Sequence, residues 1–188
     1  CIDNKIGTPK VSGQYARSVC YNIQFGNVQF YRWLLTIGLF PAKSYTIGAL
    51  KIPDKYFRDF LRGHLDGDGN ITTYQDSYNI TKHPEYIYTR LFVRFISASK
   101  THIEWIRNTI IRLLEIKGDI YEAPPPKGSN KVPIWQLKFM KKESIKLLNW
   151  IYYAHNLPCL TRKRKKAERT LALISTIKRK PYTRKLAI

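Results

Sequence analysis

Acidic side chains are scarce in this sequence of 188 residues: 13 Asp and Glu stand against 33 Lys and Arg, which leaves a formal net charge of +20. Binding to a partner of ordinary charge would not require such an excess of positive charge. Binding to a polyanion would, because each phosphate that Lys or Arg neutralises releases condensed counterions and so adds to the affinity. The sequence also lacks an apolar run of about 18 residues, so no segment is predicted to span a bilayer. We therefore expect a nucleic acid as the partner, and no membrane.

Cysteine is rare as well, with Cys1, Cys20 and Cys159 far apart and no CxxC pair among them. An odd number of cysteines without metal-binding spacing is typical of free thiols in a reducing compartment. No secretory signal is recognisable at the N-terminus. We expect an intracellular location that contains DNA, either a bacterial cytoplasm or an organelle matrix. Disorder is excluded as the main state, since 44% of the residues are hydrophobic and 13% are aromatic.

Hydrophobic periodicity over residues 53–155 predicts the order helix-strand-strand-helix-strand-strand-helix. This order indicates an α+β domain, an antiparallel sheet with helices packed on one face. Trp33, Trp135 and Trp150 lie on apolar faces of their elements, so we predict that they pack in the core. The predicted strands are 19–25, 71–80, 88–97, 120–123 and 132–139; the predicted helices are 30–37, 53–65, 103–118, 143–153 and 161–180, with Gly118 closing the third helix.

The N-terminal 50 residues resemble a later part of the chain. Residues 21–25 and 39–41 match 135–139 and 156–158, each pair with an aromatic helix between them. We therefore interpret 1–50 as the C-terminal portion of a first repeat, 51–160 as a complete second repeat and 161–188 as a basic helix and tail. The chain begins with Cys1, so we expect a missing N-terminal half of the first repeat, or a second chain, to complete it.

Two carboxylates stand where the second helix ends, at Asp66 and Asp68. The helix dipole is already negative there, so solvent, a basic neighbour or a divalent cation must offset their charge. Mg²⁺ prefers few carboxylates together with water and phosphate oxygens, which would suit phosphodiester chemistry. A solvated Asx-Gly turn is the alternative. An EF-hand is excluded because Ile71 and Ser77 occupy its glycine and glutamate positions.

The string Leu61-Arg62-Gly63-His64-Leu65-Asp66-Gly67-Asp68-Gly69 resembles the signature of the LAGLIDADG homing endonuclease family. It departs from the family pattern at Arg62, His64 and Gly67. The element order and its partial duplication are also similar to that family. The resemblance implies the αββαββα fold with antiparallel saddle-shaped sheets, helices on the outer face, and an intron-encoded nuclease.

The resemblance also implies roles for single residues. Asp68 is expected to be the catalytic carboxylate and the ligand of Mg²⁺, while Asp66 caps or orients the helix end. Gly63 and Gly67, one turn apart, are expected to let a second such helix pack closely. Lys138 is expected to assist at the cleavage site, with an ordinary phosphate contact as the alternative. His64 is expected to be exposed or to lie at an interface.

Strand parity predicts the surface that contacts DNA. Side chains on the non-core face of the strands would read base edges in the major groove, and the hairpin tips would reach flanking phosphates. Phosphate contact is one interpretation of the basic run 162–166, and a solvated helix face is another. The predicted DNA-binding residues are Thr72, Tyr74, Arg90, Arg94, Gln136, Lys138, Asn22 and Gln24 on the strands, and Lys10, Gln14, Lys127, Asn130 and Lys131 at the tips.

These observations predict a metal-dependent, site-specific endonuclease of the homing type that hydrolyses double-stranded DNA. Two alternatives remain open. A maturase that binds a group I intron RNA would need the basic face but not Asp68, and so would a non-catalytic DNA-binding regulator on the same fold.

Overall fold

A computed structural model of the chain describes residues 5–8, 21–77, 88–125 and 132–176. From α2 to α4 the order is helix-strand-strand-helix-strand-strand-helix, so the predicted α+β class is confirmed. The helices in these ranges are α1 (Val28–Ile37), α2 (Asp54–Gly67), α3 (Lys100–Leu114), α4 (Lys141–Ile151) and α5 (Thr161–Thr176); the strands are β1 (Asn70–Asp76), β2 (Tyr88–Ser97), β3 (Asp119–Ala123) and β4 (Ile134–Phe139).

The four strands form one antiparallel sheet in the order β1-β2-β4-β3. Alternate side chains of β2 and β4 point into the core, as a half-buried strand requires. The helices cover that face, and α2 contributes Phe57, Leu61 and Leu65 to it. The fully buried side chains that meet between sheet and helices include Leu91, Val93, Phe95, Leu137, Phe139, Ile103, Ile106, Ile110, Leu147, Leu148 and Ile151.

The third helix ends earlier than predicted. It stops at Leu114, and Glu115 follows in the left-handed conformation with φ 54° while its N–H still bonds to Ile111 O. Gly118 therefore does not close the helix. A Cβ atom at Gly118 would lie 2.8 Å from both Leu137 Cδ1 and Phe139 Cε1, so glycine is needed there for close packing.

The N-terminal region differs most from the prediction. Of the strand predicted over 19–25, the described residues show only an isolated antiparallel bridge between Asn22 and Gly7. Helix α1 does form, with Asn27 capping its start and Gly38 (φ 99°) its end. None of its residues is buried, however, and Trp33 is 53% exposed. The core role predicted for Trp33 is thus wrong, because α1 has no covering layer among the described residues.

The other two tryptophans that were predicted to pack in the core do so, since Trp135 and Trp150 pack against it. Cys159 is a free thiol, while Cys1 and Cys20 lie outside the described residues. No helix within the described ranges is long and apolar enough to cross a membrane.

Candidate functional site

The two carboxylates at the end of α2 have different surroundings. Asp68 is the C-cap residue of α2, and its side chain is exposed. Its carboxylate forms no hydrogen bond or ion pair with any residue in the described ranges. The Asp66 carboxylate instead has two hydrogen-bond partners. Its Oδ2 accepts a hydrogen bond from the Leu160 N–H at 2.7 Å, and its Oδ1 accepts one from the Tyr152 hydroxyl at 3.4 Å. Asp66 thus caps the start of α5, and of the two carboxylates that of Asp68 is the more exposed.

Glycine shapes the turn that carries Asp68. A Cβ atom at Gly69 would lie 2.6 Å from Leu65 Cδ1 and 2.7 Å from Leu65 Cα, so any side chain would collide with the helix. Gly63 and Gly67 are the opposite case, because a Cβ atom there meets nothing within 4 Å among the described residues. The strip that Gly63 and Gly67 form on α2 is therefore open.

His64 is not exposed, so of the two alternatives predicted for it, exposure or a place at an interface, the first is excluded. It lies half-buried beneath the sheet and stacks on His102, with 5.6 Å between the ring centroids. Phe60 and Phe95 approach it edge-on. Burial lowers the pKa of His64 to about 4, and the neighbouring His102 acts in the same direction. The imidazole is neutral at pH 7 and belongs to the packing of α2.

The strand register gathers the predicted DNA-contacting side chains on the sheet face opposite the core. Residues across β1, β2 and β4 lie in rows, and one row runs from Asn70 through Arg94 and Lys138 to Asp119. The next row on the same face holds Thr72 and Phe92. The predicted residues of this face are Thr72, Tyr74, Arg90, Arg94, Gln136 and Lys138.

A chain of hydrogen bonds connects Arg94 with the segment that follows Asp68. Arg94 Nη1 donates to Thr72 Oγ1 at 3.0 Å, and Thr72 Oγ1 donates to Asn70 Oδ1 at 3.1 Å. Arg94 Nε is buried and has no hydrogen-bond partner among the described residues. In the register, Arg94 is the cation of this face nearest to Asn70.

Lys138 stands one strand further away. Neighbouring strands are about 4.8 Å apart, so its Cα is about 10 Å from that of Asn70. The Lys138 ammonium lies 4.1 Å from the centroid of the Phe92 ring, a cation–π contact on the exposed face. The structure therefore places Lys138 on the predicted face, beyond Arg94 as seen from the acidic end of α2.

Two other predicted residues already have partners. Arg90 forms an ion pair with Asp76, with 2.8 Å between Nη2 and Oδ2. Gln136 Oε1 accepts a hydrogen bond from the Tyr121 hydroxyl at 2.7 Å. Neither contact is buried, so both side chains can exchange partners at the surface.

Two of the remaining predicted contacts are described, and neither lies on this face. Asn22 and Gln24 are exposed and precede α1, outside the four-stranded sheet. Lys10, Gln14, Lys127, Asn130 and Lys131 lie outside the described residues.

Sequence reasoning missed two buried cations next to the acidic helix end. Arg62 is 5% exposed; its Nε donates to Pro158 O at 2.9 Å, its Nη1 to Ile151 O at 3.3 Å, and its Nη2 pairs with Asp59 at 2.8 Å. Lys163 is 8% exposed and reaches the C-terminus of α2. A signal for Lys163 existed, since it shares a helix face with the buried residues Ala167 and Thr170.

A shallow basic cavity of about 450 Å³ lies between α5 and the α2–β1 turn. Arg162 and Lys166 line it from α5, and Gly69 and Asn70 line it from the turn. No group of three or more His, Cys, Asp or Glu side chains that could enclose a metal ion occurs in the part of the chain that the structure describes. The site thus offers one free carboxylate at the edge of a cationic surface.

Comparison with known proteins gives a similarity of fold. I-CvuI, a homing endonuclease solved in complex with its target in the presence of Ca, is 19% identical over 65% of this chain and 67% of its own, with a TM-score of 0.42. The group I intron-encoded homing endonuclease I-CeuI, complexed with DNA, is 14% identical over 66% and 57%, with a TM-score of 0.48. The LAGLIDADG meganuclease I-AabMI, bound to uncleaved DNA, is 18% identical over 66% and 37%, with a TM-score of 0.40.

The chain is similar in structure to LAGLIDADG homing endonucleases. No family model matches the sequence, and the search of curated proteins found no match. The chain spans 57% of the length of I-CeuI and 37% of I-AabMI. At this level of identity the likeness concerns the fold and does not extend to function.

Proposed function

We propose that this chain is part of a site-specific, homing-type endonuclease that hydrolyses double-stranded DNA with the help of a divalent metal ion. The observation that carries the proposal is the Asp68 carboxylate, which is exposed at a helix end and unpaired among the described residues. A carboxylate beside a cationic face would repel the phosphates that the face attracts. A bound cation would remove that conflict.

The residues present fit a magnesium ion. Mg²⁺ usually binds one or two protein carboxylates and completes its shell with water and phosphate oxygens, so an open site with one free carboxylate suits it. Asp68 would hold the ion. When bound, the metal would activate water and stabilise the charge that develops on the phosphate. Arg94 and Lys138, in the row that begins at Asn70, would contact the phosphate from the sheet side.

The exposed face of the sheet would lie against DNA. The formal charge of +20 favours attraction to the backbone, and Arg94, Gln136 and Thr72 present groups that hydrogen-bond to base edges. Lys138 remains a catalytic candidate in this proposal. Its contact with Phe92 would hold its ammonium above the face.

Cleavage of both strands would need a second acidic helix. The open strip at Gly63 and Gly67 would accept such a helix at short distance, since no atom in the described part of the chain lies within 4 Å of either added Cβ atom. We propose that the second helix comes from a first repeat of the same gene or from a second chain.

The test is digestion of a randomised duplex library by the full chain, co-expressed with any upstream segment of its gene, in Mg²⁺. Discrete cleaved ends are the expected result. Asp68→Asn should lower cleavage by about 10²–10³-fold while DNA binding persists. Glu115→Gln, a change of an exposed carboxylate at the end of α3 on the helix side of the sheet, should cleave like the wild type.

Two outcomes would contradict the proposal. One is nucleic-acid binding without cleavage, unaffected by Asp68→Asn; it would favour an intron-RNA maturase or a DNA-binding regulator. The other is equal cleavage by wild type and Asp68→Asn, which would remove Asp68 from the reaction.

A further inference from the structure

The C-terminal end of α2 is closed by an ammonium group that comes from α5. Lys163 Nζ donates to four backbone carbonyl oxygens, at 2.6 Å to Leu65, 2.7 Å to Asp66, 2.8 Å to Gly69 and 3.2 Å to Gly67. These carbonyls flank Asp68 on both sides. Three N–H donors share four acceptors, and the bonds to Leu65 and Gly69 are buried.

This arrangement answers a requirement of the helix end. The last carbonyls of a helix have no N–H partner within the helix, and the dipole makes that end negative. An ammonium group is compact and has three donors, so it can serve several carbonyls around one point. Burial lowers the pKa of Lys163, and Arg162 acts in the same direction, while Asp66 and Asp68 oppose them.

A second contact joins the same two helices, but here α2 supplies the side chain and the start of α5 supplies the backbone group. The Asp66 carboxylate accepts the N–H of Leu160, directly before α5 begins at Thr161. Lys163 thus fixes the end of α2, and Asp66 fixes the start of α5. The backbone of Asp68 lies between these attachments, and its N–H bonds to His64 O at 3.1 Å.

We propose that Lys163 is a positioning residue for Asp68: by holding the carbonyls of residues 65, 66, 67 and 69 it sets the direction in which the Asp68 carboxylate meets a divalent cation. The inference rests on the proposed function, in which Asp68 holds the metal. Lys163 itself touches neither metal nor phosphate in this role. Removal of a residue that orients a metal ligand typically costs about 10–100-fold in metal affinity.

The experiment compares Lys163→Met with Lys165→Met. Both changes remove one positive charge from the same basic run of α5, but Lys165 is exposed and contacts no carbonyl of α2. The first measurement is the Mg²⁺ midpoint for cleavage of a duplex recovered from the library. The second is the Ca²⁺ midpoint for binding the same duplex, which involves no turnover. We expect Lys163→Met to raise both midpoints about 10–100-fold and Lys165→Met to leave them within about twofold.

Two further measurements separate positioning from loss of stability. Amide hydrogen exchange should become faster at Asp68 and Gly69 in Lys163→Met, while amides of the core strand β2 remain protected. Lys163→Arg retains the charge and can be measured even where the Met variant does not fold. The planar guanidinium of arginine cannot direct its donors at four carbonyls around one point. We therefore expect the Mg²⁺ and Ca²⁺ midpoints of Lys163→Arg to rise as well.

The outcomes are distinguishable. If the wild type depends on Asp68 for its metal response but the folded Lys163 variants keep the wild-type midpoints, the positioning role is refuted and the proposed function stands. If neither midpoint of the wild type depends on Asp68, the proposed function is refuted and the positioning role with it.

Discussion

The open strip on α2 leads to a prediction about two glycines with opposite surroundings. Gly63 lies inside α2, where glycine costs roughly 1 kcal/mol relative to alanine. Because no described residue lies within 4 Å of an added Cβ atom, no clash offsets the gain in helix propensity from alanine. Gly63→Ala should therefore raise the free energy of unfolding by about 0.5–1 kcal/mol.

Gly118 provides the matched comparison. An added Cβ atom there would lie 2.8 Å from Leu137 Cδ1 and Phe139 Cε1, and 3.0 Å from the backbone oxygen of Lys138. Leu137 and Phe139 are fully buried, so neither can move away freely. Gly118→Ala should lower the free energy of unfolding by about 1–3 kcal/mol, the usual cost of overpacking.

Urea unfolding followed by tryptophan fluorescence measures both changes, at a protein concentration where sedimentation shows a monomer. For a chain of this size, 1 kcal/mol corresponds to about 2–4 °C in Tm, so a thermal scan gives a second reading. A loss of stability in Gly63→Ala would refute the reasoning, because it would mean that the strip is covered in the free chain. If a second acidic helix packs on the strip, Gly63→Ala should also weaken that assembly while stabilising the monomer.

Two further predictions concern buried groups around α2. The pKa of His64 is lowered to about 4, from a usual value of 6.5, by burial and by His102, so the stability it contributes is present above pH 6.5 and is lost as the pH falls towards 4. Urea titrations should show about 2–3 kcal/mol of loss over this range, and His64→Gln should remove most of that dependence; an unchanged profile in the variant would contradict it. Arg62→Met should lower the free energy of unfolding by about 3 kcal/mol, because Asp59 and the carbonyls of Ile151 and Pro158 lose their common donor; equal stability of variant and wild type would show that these bonds contribute no net energy.

The sheet and its helices could be predicted well from the sequence, because the hydrophobic residues of each element recur with a clear helix or strand period. In β2, for example, Leu91, Val93 and Phe95 alternate with Arg90 and Arg94, and the structure places the two sets on opposite faces. Such alternation needs no knowledge of distant residues.

The features that sequence reasoning missed depend on contacts between distant segments. The contact of His64 with His102 could not be predicted, because nothing in the helix of His64 reveals a residue that reaches it from α3. Lys163 looked like one cation among five in residues 162–166, and only the position of α5 against α2 distinguishes it. The prediction for Trp33 was wrong in the opposite direction, since burial was expected and Trp33 is exposed. An apolar helix face is buried only where another layer covers it.

The helix that carries the acidic motif, α2, has three faces with different surroundings. Phe57, Leu61 and Leu65 recur at a spacing of four residues and point into the core. Because a helix turns by about 100° per residue, residues one position later in the chain face a different direction. Those at 62 and 66 therefore meet the segment that links α4 to α5.

That second face is an attachment, since Arg62 and Asp66 both bond to residues 151–160. The third face, with Gly63 and Gly67, is open. Asp68 follows immediately after the helix and belongs to none of the three faces. The two aspartates of the motif are therefore not interchangeable: Asp66 joins two helices, whereas the Asp68 carboxylate has no hydrogen-bond partner among the described residues, and Lys163 holds backbone carbonyls on both sides of it.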